Sequence, residues 1–579
     1  MQLNEFEIIF KQVCEQKLLK NADIVASNPS LKNRQSVYSF EGELSVENQS
    51  VKILVGLDRF FPLSLPKIFL KSFDALGFIP HIDKDGFVCY AQKEGLLLDK
   101  NNPVGIIRDA LFRARKTLSN GVQQKNSVDF LDEFEAYWRQ LDNVQYIQSF
   151  IELGNKPQRI IAKKSKNKSK NKYVAITHND ATLRAYDKSI RQLTSYKAIY
   201  LPLKSDSAVS PPPFNKLWTL AEIRNIIFSN LSTESKHFLE AYITEKVKND
   251  EMVILSQISP NGGIAIFGIL FKGVKLAHPL KAGSQVTEIM PLSLSRRDKT
   301  YLLPRGGSQI GLNNKKVALI GCGSVGGFIS QEIIRAGVQN LTLIDKDTLK
   351  PENTFRHVLG HSYPANKKVL ALKDDIEKKM PYISITAKDK TIEELIAANE
   401  FHFNEFDLII VALGAPTIEL YLNQLCHITQ NAPPILFTWL EPYGIGGHAI
   451  VTNNGEYSGC LECLYVSDTP DKEKTLFNKA SFAEKGQTFA KTLTGCGSLF
   501  TPYSALDSSQ TAILATRLAL SVLNGEEPDN PLLSWKGNNK IFLAASFKLS
   551  IRYSQTENEL FQKRYNYKHE NCPICYGKG

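Results

Sequence analysis

Three glycines in the middle of the chain have the spacing of a phosphate-binding turn. Gly321, Gly323 and Gly326 form the pattern G-x-G-x-x-G directly after an apolar, strand-like run, residues 317–320. Glycine lets the backbone approach a phosphate closely, and a following helix offers free N–H groups and the positive end of its dipole. Asp345 follows the last glycine by 19 residues (345 − 326), close to the spacing of a ribose-binding acid. The segment predicts a nucleotide site; the alternative is a glycine turn that only packs a helix on a strand.

Two pairs of cysteines near the end of the chain have the spacing of metal ligands. Cys460 and Cys463 form one C-x-x-C pair, and Cys572 and Cys575 form another. Four thiolates in two tight pairs suit a tetrahedral structural zinc ion (Zn²⁺), which would hold the C-terminus on its domain. Redox-active pairs are the alternative.

Two other cysteines are candidate nucleophiles. Cys496 precedes a predicted helix, and a helix N-terminus lowers the pKa of a thiol and favours the reactive thiolate. Cys89 follows a glycine turn at Gly86, and on its own it would be interpreted as a buried structural thiol. The remaining cysteines lie in amphipathic or apolar segments and are predicted to be packing residues: Cys14, Cys322 and Cys426.

The elements that must position these residues divide the chain into three predicted domains. At 579 residues it has room for three or four. Residues 1–145 predict a small α+β domain with an amphipathic helix, a meander of strands and two final helices, the second over 128–142. Residues 292–579 predict a Rossmann-like α/β domain around the glycine turn. Residues 146–291 contain strands and helices without a catalytic constellation, and we expect a connecting domain there.

Composition argues against several classes of protein. Hydrophobic content of 43% and charged content of 22% are ordinary for a globular chain, and no apolar run predicts a transmembrane helix. The N-terminus lacks the basic and apolar segments of a secretory signal. An odd number of cysteines, nine, predicts a reducing cytoplasm. The net charge of +11 is concentrated in a lysine run without aromatics, residues 163–172, which predicts a solvated loop rather than a nucleic-acid surface.

The first domain resembles the ubiquitin-conjugating-enzyme fold. The resemblance is carried by the order of helix and strands, the "FP…LP" stretch and the pattern P-x-x-x-x-D-G-x-V-C, which ends at Cys89. It implies that Cys89 is the thioester cysteine. His81 stands where that family holds an asparagine that supports the oxyanion, and a histidine can also donate a hydrogen bond to a developing oxyanion.

The last domain resembles the adenylating superfamily that includes ThiF, MoeB, HesA and the ubiquitin-activating enzymes. That family carries D-x-D, N-x-x-R and a lysine about a dozen residues later, and its matching residues here are Asp345, Asp347, Asn353, Arg356 and Lys368, with Lys367 as a competing choice. The resemblance implies attack of a carboxylate on the α-phosphate of ATP. Because both partners are anionic, a guanidinium and an ammonium are needed to offset the phosphate charge.

The same resemblance implies further roles and one departure. Asp345 would bind the ribose, and Asp347 would hold Mg²⁺ or be structural. Relatives carry an acid where this chain has Gly414, and Glu419 is a candidate substitute. Cys496 occupies the place of the thioester cysteine of activating enzymes. Arginines placed near the nucleotide in such enzymes correspond to Arg296, Arg297 and Arg305, for which a basic linker is the alternative.

Together the segments are similar to the fused activating–conjugating proteins of bacterial CBASS antiphage operons. The resemblance implies a relay in which ATP adenylates a glycine-ended protein tail, Cys496 captures the acyl group, and Cys89 passes it to an amine. In that family the carboxylate belongs to a cGAS/DncV-like nucleotidyltransferase (CD-NTase), and a homodimer forms through the adenylation domain.

Two alternatives come from different functional classes. Sulfur-carrier activation fits the zinc and ATP motifs equally well, but it has no need for a conjugating domain. A nucleotide-sensing scaffold would need no intact set of adenylation residues and no Cys496.

Overall fold

The chain divides into two compact units, Met1–Asp298 and Lys299–Gly579. The computed structural model describes residues 2–26, 29–72, 76–92, 95–165, 172–186, 193–245, 247, 249–455, 459–467, 477–492 and 499–576. Within these ranges, no helix is long and apolar enough to cross a membrane.

The first unit begins with helices packed on a four-stranded antiparallel sheet. The helices are α1 (Leu3–Glu15), α2 (Pro29–Asn33) and α3 (Pro103–Val122), and the strands are β1 (Lys20–Ile24), β2 (Ser36–Val46), β3 (Gln49–Asp58) and β4 (Lys67–Leu70), in that order across the sheet. Helix α1 buries Phe6, Ile9 and Val13, whose helical spacing forms one apolar face against the sheet. Asn102 begins α3 by accepting a hydrogen bond from the Gly105 amide at 2.9 Å. The predicted α+β arrangement is therefore confirmed.

The segment predicted as one helix over 128–142 is instead two short helices, α4 (Asp129–Asp132) and α5 (Phe134–Trp138). They meet at Glu133, whose φ of −104° and ψ of 17° are not helical. The break has a tertiary cause, because Phe134 and Trp138 are buried against Phe267 of the following domain. Periodicity alone could not reveal this packing.

A closed seven-stranded barrel follows, which the sequence did not predict. Its strands are β5 (Gln145–Ser149), β6 (Gln158–Lys164), β7 (Tyr173–Thr177), β8 (Thr194–Pro202), β9 (Asp250–Ile258), β10 (Ile264–Lys272) and β11 (Glu288–Arg296), and they close in the order β10-β11-β5-β7-β6-β8-β9. Apolar side chains fill the interior, among them Ile254, Leu270 and Leu292. Three helices accompany the barrel: α6 (Asp180–Tyr186), α7 (Leu220–Asn230) and α8 (Thr233–Tyr242). The predicted domain limits at 145/146 and 291/292 fall within β5 and β11.

The lysine run does not begin as a solvated loop. Lys163 and Lys164 end strand β6. Lys163 is buried and pairs with Asp180 at 2.7 Å, and Lys164 pairs with Asp250 at 3.0 Å. These two charges are neutralised inside the barrel domain, which the composition of the run could not show. Residues 166–171 of the run lie outside the described ranges.

The second unit is a doubly wound α/β fold. Its strands are β12 (Lys316–Ile320), β13 (Asn340–Ile344), β14 (Ser384–Lys388), β15 (Leu408–Val411), β16 (Ile435–Leu440), β17 (Gly446–Thr452), β18 (Lys491–Thr492), β19 (Leu499–Phe500) and β20 (Leu532–Lys536). Its helices are α9 (Lys299–Arg305), α10 (Ser324–Ala336), α11 (Lys368–Lys379), α12 (Ile392–Ala397), α13 (Pro416–Ile428), α14 (Ala505–Leu523), α15 (Lys540–Ala544) and α16 (Glu557–Gln562). The main sheet has the order β14-β13-β12-β15-β16-β17-β20.

The five neighbouring strands β14, β13, β12, β15 and β16 are parallel; β17 runs antiparallel to β16, and β20 runs antiparallel to β17. Helices α10, α11 and α14 cover one face, and α12 and α13 cover the other. Strands β12, β13 and β15 are apolar runs because both of their faces are buried. The predicted strand–turn–helix–strand order around the glycines is confirmed.

Candidate functional site

Two of the three motif glycines are required by close backbone contacts. Gly321 has a φ of +91°, and a Cβ atom there would lie 2.5 Å from the Ala412 carbonyl oxygen. A Cβ atom on Gly326 would lie 1.9 Å from the Gly321 carbonyl oxygen. Gly323 has open space around its Cα instead. The turn is thus packed tightly on its protein side and open at Gly323, as backbone approach to a phosphate requires.

A cavity of about 250 Å³ lies at the carboxyl ends of the parallel strands, between β12 and β15. The chain leaves β12 toward β13 on one side and returns to β15 on the other, so this is the point at which the strand order reverses. Open parallel sheets bind ligands at such a point. Four predicted site residues are among the lining: Gly323, Asn353, Arg356 and Lys368. The other lining residues are Ser324, Val325, His357, Ala412, Leu413, Gly414, Thr438, Trp439, Leu440 and Tyr503.

Asp345 holds the glycine turn in its conformation. One carboxylate oxygen accepts a hydrogen bond from the Cys322 amide at 2.8 Å, and the other accepts from the Asp347 amide at 2.7 Å. His357 supports the same turn, since its Nε2 lies 2.9 Å from the Cys322 carbonyl oxygen. Burial lowers the pKa of His357, which favours a neutral ring that donates from Nε2 to that carbonyl. The motif acid is therefore beside the turn, and its two oxygens bond to backbone amides.

Lys368, rather than Lys367, faces the cavity. Its Nζ lies 2.9 Å from an Asp347 oxygen, and this ammonium holds the pKa of the Asp347 carboxyl below its usual value. The Lys367 ammonium instead donates to the Lys346 carbonyl at 2.7 Å. Lys368 is buried whereas the Asp347 side chain is 60% exposed, so the pair presents a largely desolvated cation to the cavity.

Asn353 and Arg356 line the cavity; Asn353 ends a short 3₁₀ turn, and Arg356 follows three residues later. The Asn353 side-chain oxygen accepts from the Lys350 amide at 3.0 Å and so shapes that turn. The Arg356 guanidinium carbon lies 5.4 Å from the centre of the Tyr503 ring, close enough for a cation–π contact. Tyr503 also lies 3.0 Å, hydroxyl to hydroxyl, from Ser324 in the first turn of α10. Sequence reasoning missed Tyr503 and Ser324, because nothing local marks Tyr503 as a neighbour of a turn almost 180 residues away.

Glu419 does not take the place of the acid that relatives carry at Gly414. It is 4% exposed and is not among the residues that line the cavity. Its Oε1 accepts hydrogen bonds from the amides of Gly414 at 2.9 Å and Ala415 at 3.3 Å, so it caps α13 from within the protein. None of the described cavity-lining residues is an acid, which leaves Asp347 beside Lys368 as the carboxylate that fits Mg²⁺.

Glu419 makes the stability of the second unit depend on pH. Burial raises its pKa from 4.5 to about 7, so its contribution to stability is full below pH 4.5 and is lost as the pH rises through 7. We expect Glu419→Gln to raise the free energy of unfolding at pH 8 by roughly 2–3 kcal/mol and to change it little at pH 4. Denaturant unfolding at both values measures this, with Glu393→Gln on the exposed side of α12 as the control. An equal effect at both values would contradict the assignment.

The three arginines expected near the nucleotide have separate positions. Arg296 ends β11 in the first unit and forms a bidentate pair with Asp298 at 2.9 Å. Arg297 follows it, and its amide donates to the Ser149 carbonyl. Arg305 ends α9 in the second unit, where its guanidinium lies 4.3 Å from the centre of the Tyr301 ring. None of these three arginines is among the described residues that line the cavity.

The four paired cysteines converge. All four sulfur atoms lie within 4.8 Å of one another; Sγ of Cys460 is 3.7 Å from that of Cys572, and Sγ of Cys463 is 3.4 Å from that of Cys575. These distances are too long for a disulfide and close to the roughly 3.8 Å between ligands of a tetrahedral zinc ion with 2.3 Å bonds. The Asn423 amide donates to Cys460 Sγ at 3.6 Å, a typical outer partner of a ligand. The geometry is compatible with a structural zinc ion.

In the first unit, Cys89 is exposed and lies opposite His81. The Cys89 amide donates to the His81 carbonyl oxygen at 2.8 Å. Nε2 of His81 lies 2.8 Å from an Asp129 oxygen, and Nδ1 lies 3.5 Å from a Glu133 oxygen. The ring expected to support an oxyanion therefore faces two carboxylates. Sequence reasoning missed both acids, which lie 48 and 52 residues further along the chain.

The other cysteines divide into two groups. Cys14 was predicted to be a packing residue, but it is exposed on the outer side of α1. Cys322 and Cys426 are buried as predicted, and burial raises the pKa of the Cys322 thiol well above its usual value. Cys322 is therefore not a nucleophile although it lies within the phosphate turn. Cys496 lies outside the described residues.

Comparison with known families identifies the two functional parts. Residues 16–147 match the model of prokaryotic E2 family B, and residues 298–547 match the model of the ThiF family. The chain is therefore a fusion of an E2-like domain with a ThiF-type, ATP-dependent adenylating transferase.

Curated relatives match most of this chain. The chain is similar to the ATP-dependent ubiquitin transferase-like protein Cap2 of Pseudomonas aeruginosa, with 25% identity over 81% of this chain and 85% of the relative. Cap2 of Escherichia coli is 22% identical over 94% of each chain. Among solved structures, E. coli MccB with succinimide shows 18% identity and a TM-score of 0.32 over 46% of this chain and 67% of that chain. The two family matches and the Cap2 relatives together identify a Cap2-like combination of activating and conjugating domains.

Proposed function

We propose that this chain uses ATP to adenylate the C-terminal carboxylate of a partner protein and then transfers the acyl group to an amine through two cysteines. The observation that carries the proposal is the pairing of two sites in one chain. One is the glycine turn, which is open at Gly323 to a cavity that Arg356 and Lys368 also line. The other is the exposed Cys89 of the E2-like domain. A thioester cysteine that acts after an adenylation step has a function only if the acyl group moves from the adenylation site to that cysteine.

The adenylation cavity has the charges that the first step needs. A carboxylate oxygen attacks the α-phosphorus of ATP and pyrophosphate leaves, so negative charge builds up where two anions meet. Lys368 and Arg356 line that space, and the Gly323 backbone is open to a phosphate. Asp347 fits a Mg²⁺ ion, which would offset the charge of the leaving pyrophosphate. Asp345 fixes the turn through the amides of Cys322 and Asp347.

The two transfer steps need thiolates. In the proposal, Cys496 displaces AMP from the acyl adenylate, and Cys89 then displaces Cys496 from the thioester. Each step exchanges one activated acyl bond for another, so the final amide forms without a second ATP. Reactive thiols of this kind need a reducing compartment, which is why we place the protein in the cytoplasm.

The partner is proposed from resemblance. Cap2 relatives are named ATP-dependent ubiquitin transferase-like proteins, and we extend to this chain the CBASS role suggested by its domain order. The substrate would then be a CD-NTase with a glycine-ended tail, joined to an amine to prime antiphage signalling. A homodimer through the adenylation domain is part of the same proposal.

Sulfur-carrier activation is the second candidate. Adenylyltransferase and sulfurtransferase UBA4 of Yarrowia lipolytica is 24% identical over 33% of this chain. That match leaves the conjugating domain without a role, so the relay is favoured.

Cysteine variants test the relay. The full chain is incubated with ATP and a candidate glycine-ended protein, and adducts are resolved on gels with and without reductant. We expect Cys89→Ala to trap a reductant-sensitive adduct on Cys496, and Cys496→Ala to abolish adducts at both cysteines. Cys14→Ala, which removes another exposed thiol, should leave both adducts unchanged. An undiminished Cys89 adduct in Cys496→Ala would contradict the order of the relay.

A further inference from the structure

The backbone sets His81 directly beside Cys89. The Cys89 amide bonds to the His81 carbonyl, and Ile82 and Val88 form an antiparallel bridge next to them. His81 also has a φ of +65°, a conformation that is costly for a residue with a side chain. The backbone of this turn therefore places His81 across from Cys89.

The segment that contains α4 and α5 holds this arrangement from the other side. The Tyr137 hydroxyl accepts a hydrogen bond from the His81 amide at 2.6 Å and donates to a Glu133 oxygen at 3.2 Å. Asp129 bonds to Nε2 at 2.8 Å, and Glu133 faces Nδ1 at 3.5 Å. The helix break at Glu133 brings both acids to the same ring. The titratable groups that face His81 are these two carboxylates, the Tyr137 hydroxyl and the Cys89 thiol across the turn.

This geometry distinguishes two roles for the ring. An oxyanion donor needs an N–H directed at the acyl oxygen, but the short bond to Asp129 already takes the Nε2 proton. A histidine whose one nitrogen donates to a carboxylate presents the other nitrogen as a base. Here that nitrogen is Nδ1. Glu133 lies beyond hydrogen-bond distance from it, and its half-exposed carboxylate can attract an ammonium group.

We propose that His81 accepts the proton of the amine that attacks the Cys89 thioester, with Asp129 and Glu133 as positioning residues. This inference rests on the proposed relay. In the step, the amine nitrogen forms a bond to the acyl carbon, and the bond between that carbon and Cys89 Sγ breaks with its electron pair on sulfur. The substrate arrives as an ammonium and loses two protons: the first passes to His81 Nδ1 before the attack and from there to water, and the second passes to the Cys89 thiolate as the amide forms. The products are an amide and a free Cys89 thiol.

Single-turnover discharge of the full chain tests this assignment. The Cys89 thioester is formed first, ATP is removed, and free lysine or hydroxylamine is added. Hydroxylamine is already uncharged at neutral pH, so it needs a base far less than lysine does. We expect His81→Ala to slow discharge to lysine about 10²-fold and discharge to hydroxylamine less than about threefold. Asp129→Asn should slow the lysine reaction about 10-fold, and more at lower pH.

The control is Asp142→Asn, which neutralises an acid paired with Lys84 on the same unit and should discharge like the unaltered chain. His81→Asn, which restores the residue of the wider family, should not recover the lysine rate if a base is needed. Equal losses with lysine and hydroxylamine would overturn the inference in favour of an oxyanion or structural role. Failure of the unaltered chain to form any Cys89 thioester would instead refute the relay itself.

Discussion

Gly326→Ala is expected to abolish ATP–pyrophosphate exchange, with a loss of about 10²-fold or more. The added Cβ atom would lie 1.9 Å from the Gly321 carbonyl oxygen. The Gly321 backbone could move away from it only if the whole glycine turn were displaced. Gly321 cannot move away either, because it is packed against Ala412. The glycine turn at Gly321 and the first turn of α10 at Gly326 must therefore move apart, which distorts the predicted phosphate site. Exchange with a glycine-ended partner protein measures the first step alone, before either cysteine is used.

Two glycine controls sharpen this result. Gly311→Ala adds a methyl group where nothing lies within 4 Å and should leave exchange and thermal stability unchanged. Gly323→Ala also meets no protein atom, so it should fold normally but weaken ATP binding, because its methyl group occupies the open side of the turn. Normal exchange by Gly326→Ala would show that the turn does not bind the phosphates.

Cys572→Ser is expected to lower the melting temperature of the chain by roughly 10 °C or more and to remove one equivalent of bound zinc. A ligated structural zinc ion contributes directly to folding, and a hydroxyl is a poor replacement for a thiolate. The ligand pairs come from two distant parts of the second unit, so loss of the ion releases the C-terminal turn from Cys460 and Cys463. Thermal unfolding and metal analysis of the same samples measure both effects.

Cys14→Ser is the matched control, because it removes an exposed thiol without touching the cluster. Chelator should lower the melting temperature of the unaltered chain and have little further effect on Cys572→Ser. A metal-free preparation with an unchanged melting temperature would favour a redox role for the two pairs.

The parts that sequence predicted best are those encoded within a few dozen residues. The glycine turn, its flanking strands and helix, and Asp345 form one continuous supersecondary unit, and their spacing reflects its geometry. The C-x-x-C pairs are also local, because each places two sulfurs on one turn. Motif spacing could therefore predict a Rossmann-like domain and two cysteine pairs, although the convergence of the two pairs into one four-sulfur cluster required the structure.

The features that sequence could not predict depend on distant packing. The barrel closes through parallel contacts of β11 with β5 and of β8 with β9, which no local pattern encodes. Asp129 and Glu133 contact His81 at the break in the predicted helix. Directly after that break, Phe134 and Trp138 pack on Phe267, a contact between residues more than 120 positions apart. Glu419 was a candidate metal ligand by its position in the sequence, but burial and two backbone amides give it another role.

In the proposed relay, the contact between Tyr503 and Ser324 limits how far the acyl group would travel from the adenylate to Cys496. Cys496 precedes Tyr503 by 7 residues (503 − 496), and a fully extended chain spans at most about 25 Å over that length. Since the Tyr503 hydroxyl lies 3.0 Å from Ser324 at the glycine turn, the thiol is tethered within roughly 35 Å of the nucleotide cavity in any conformation that keeps this contact. In the proposed relay, the Cys496 thiol would meet the adenylate at an effective concentration set by this short tether, so capture would not depend on how dilute the enzyme is.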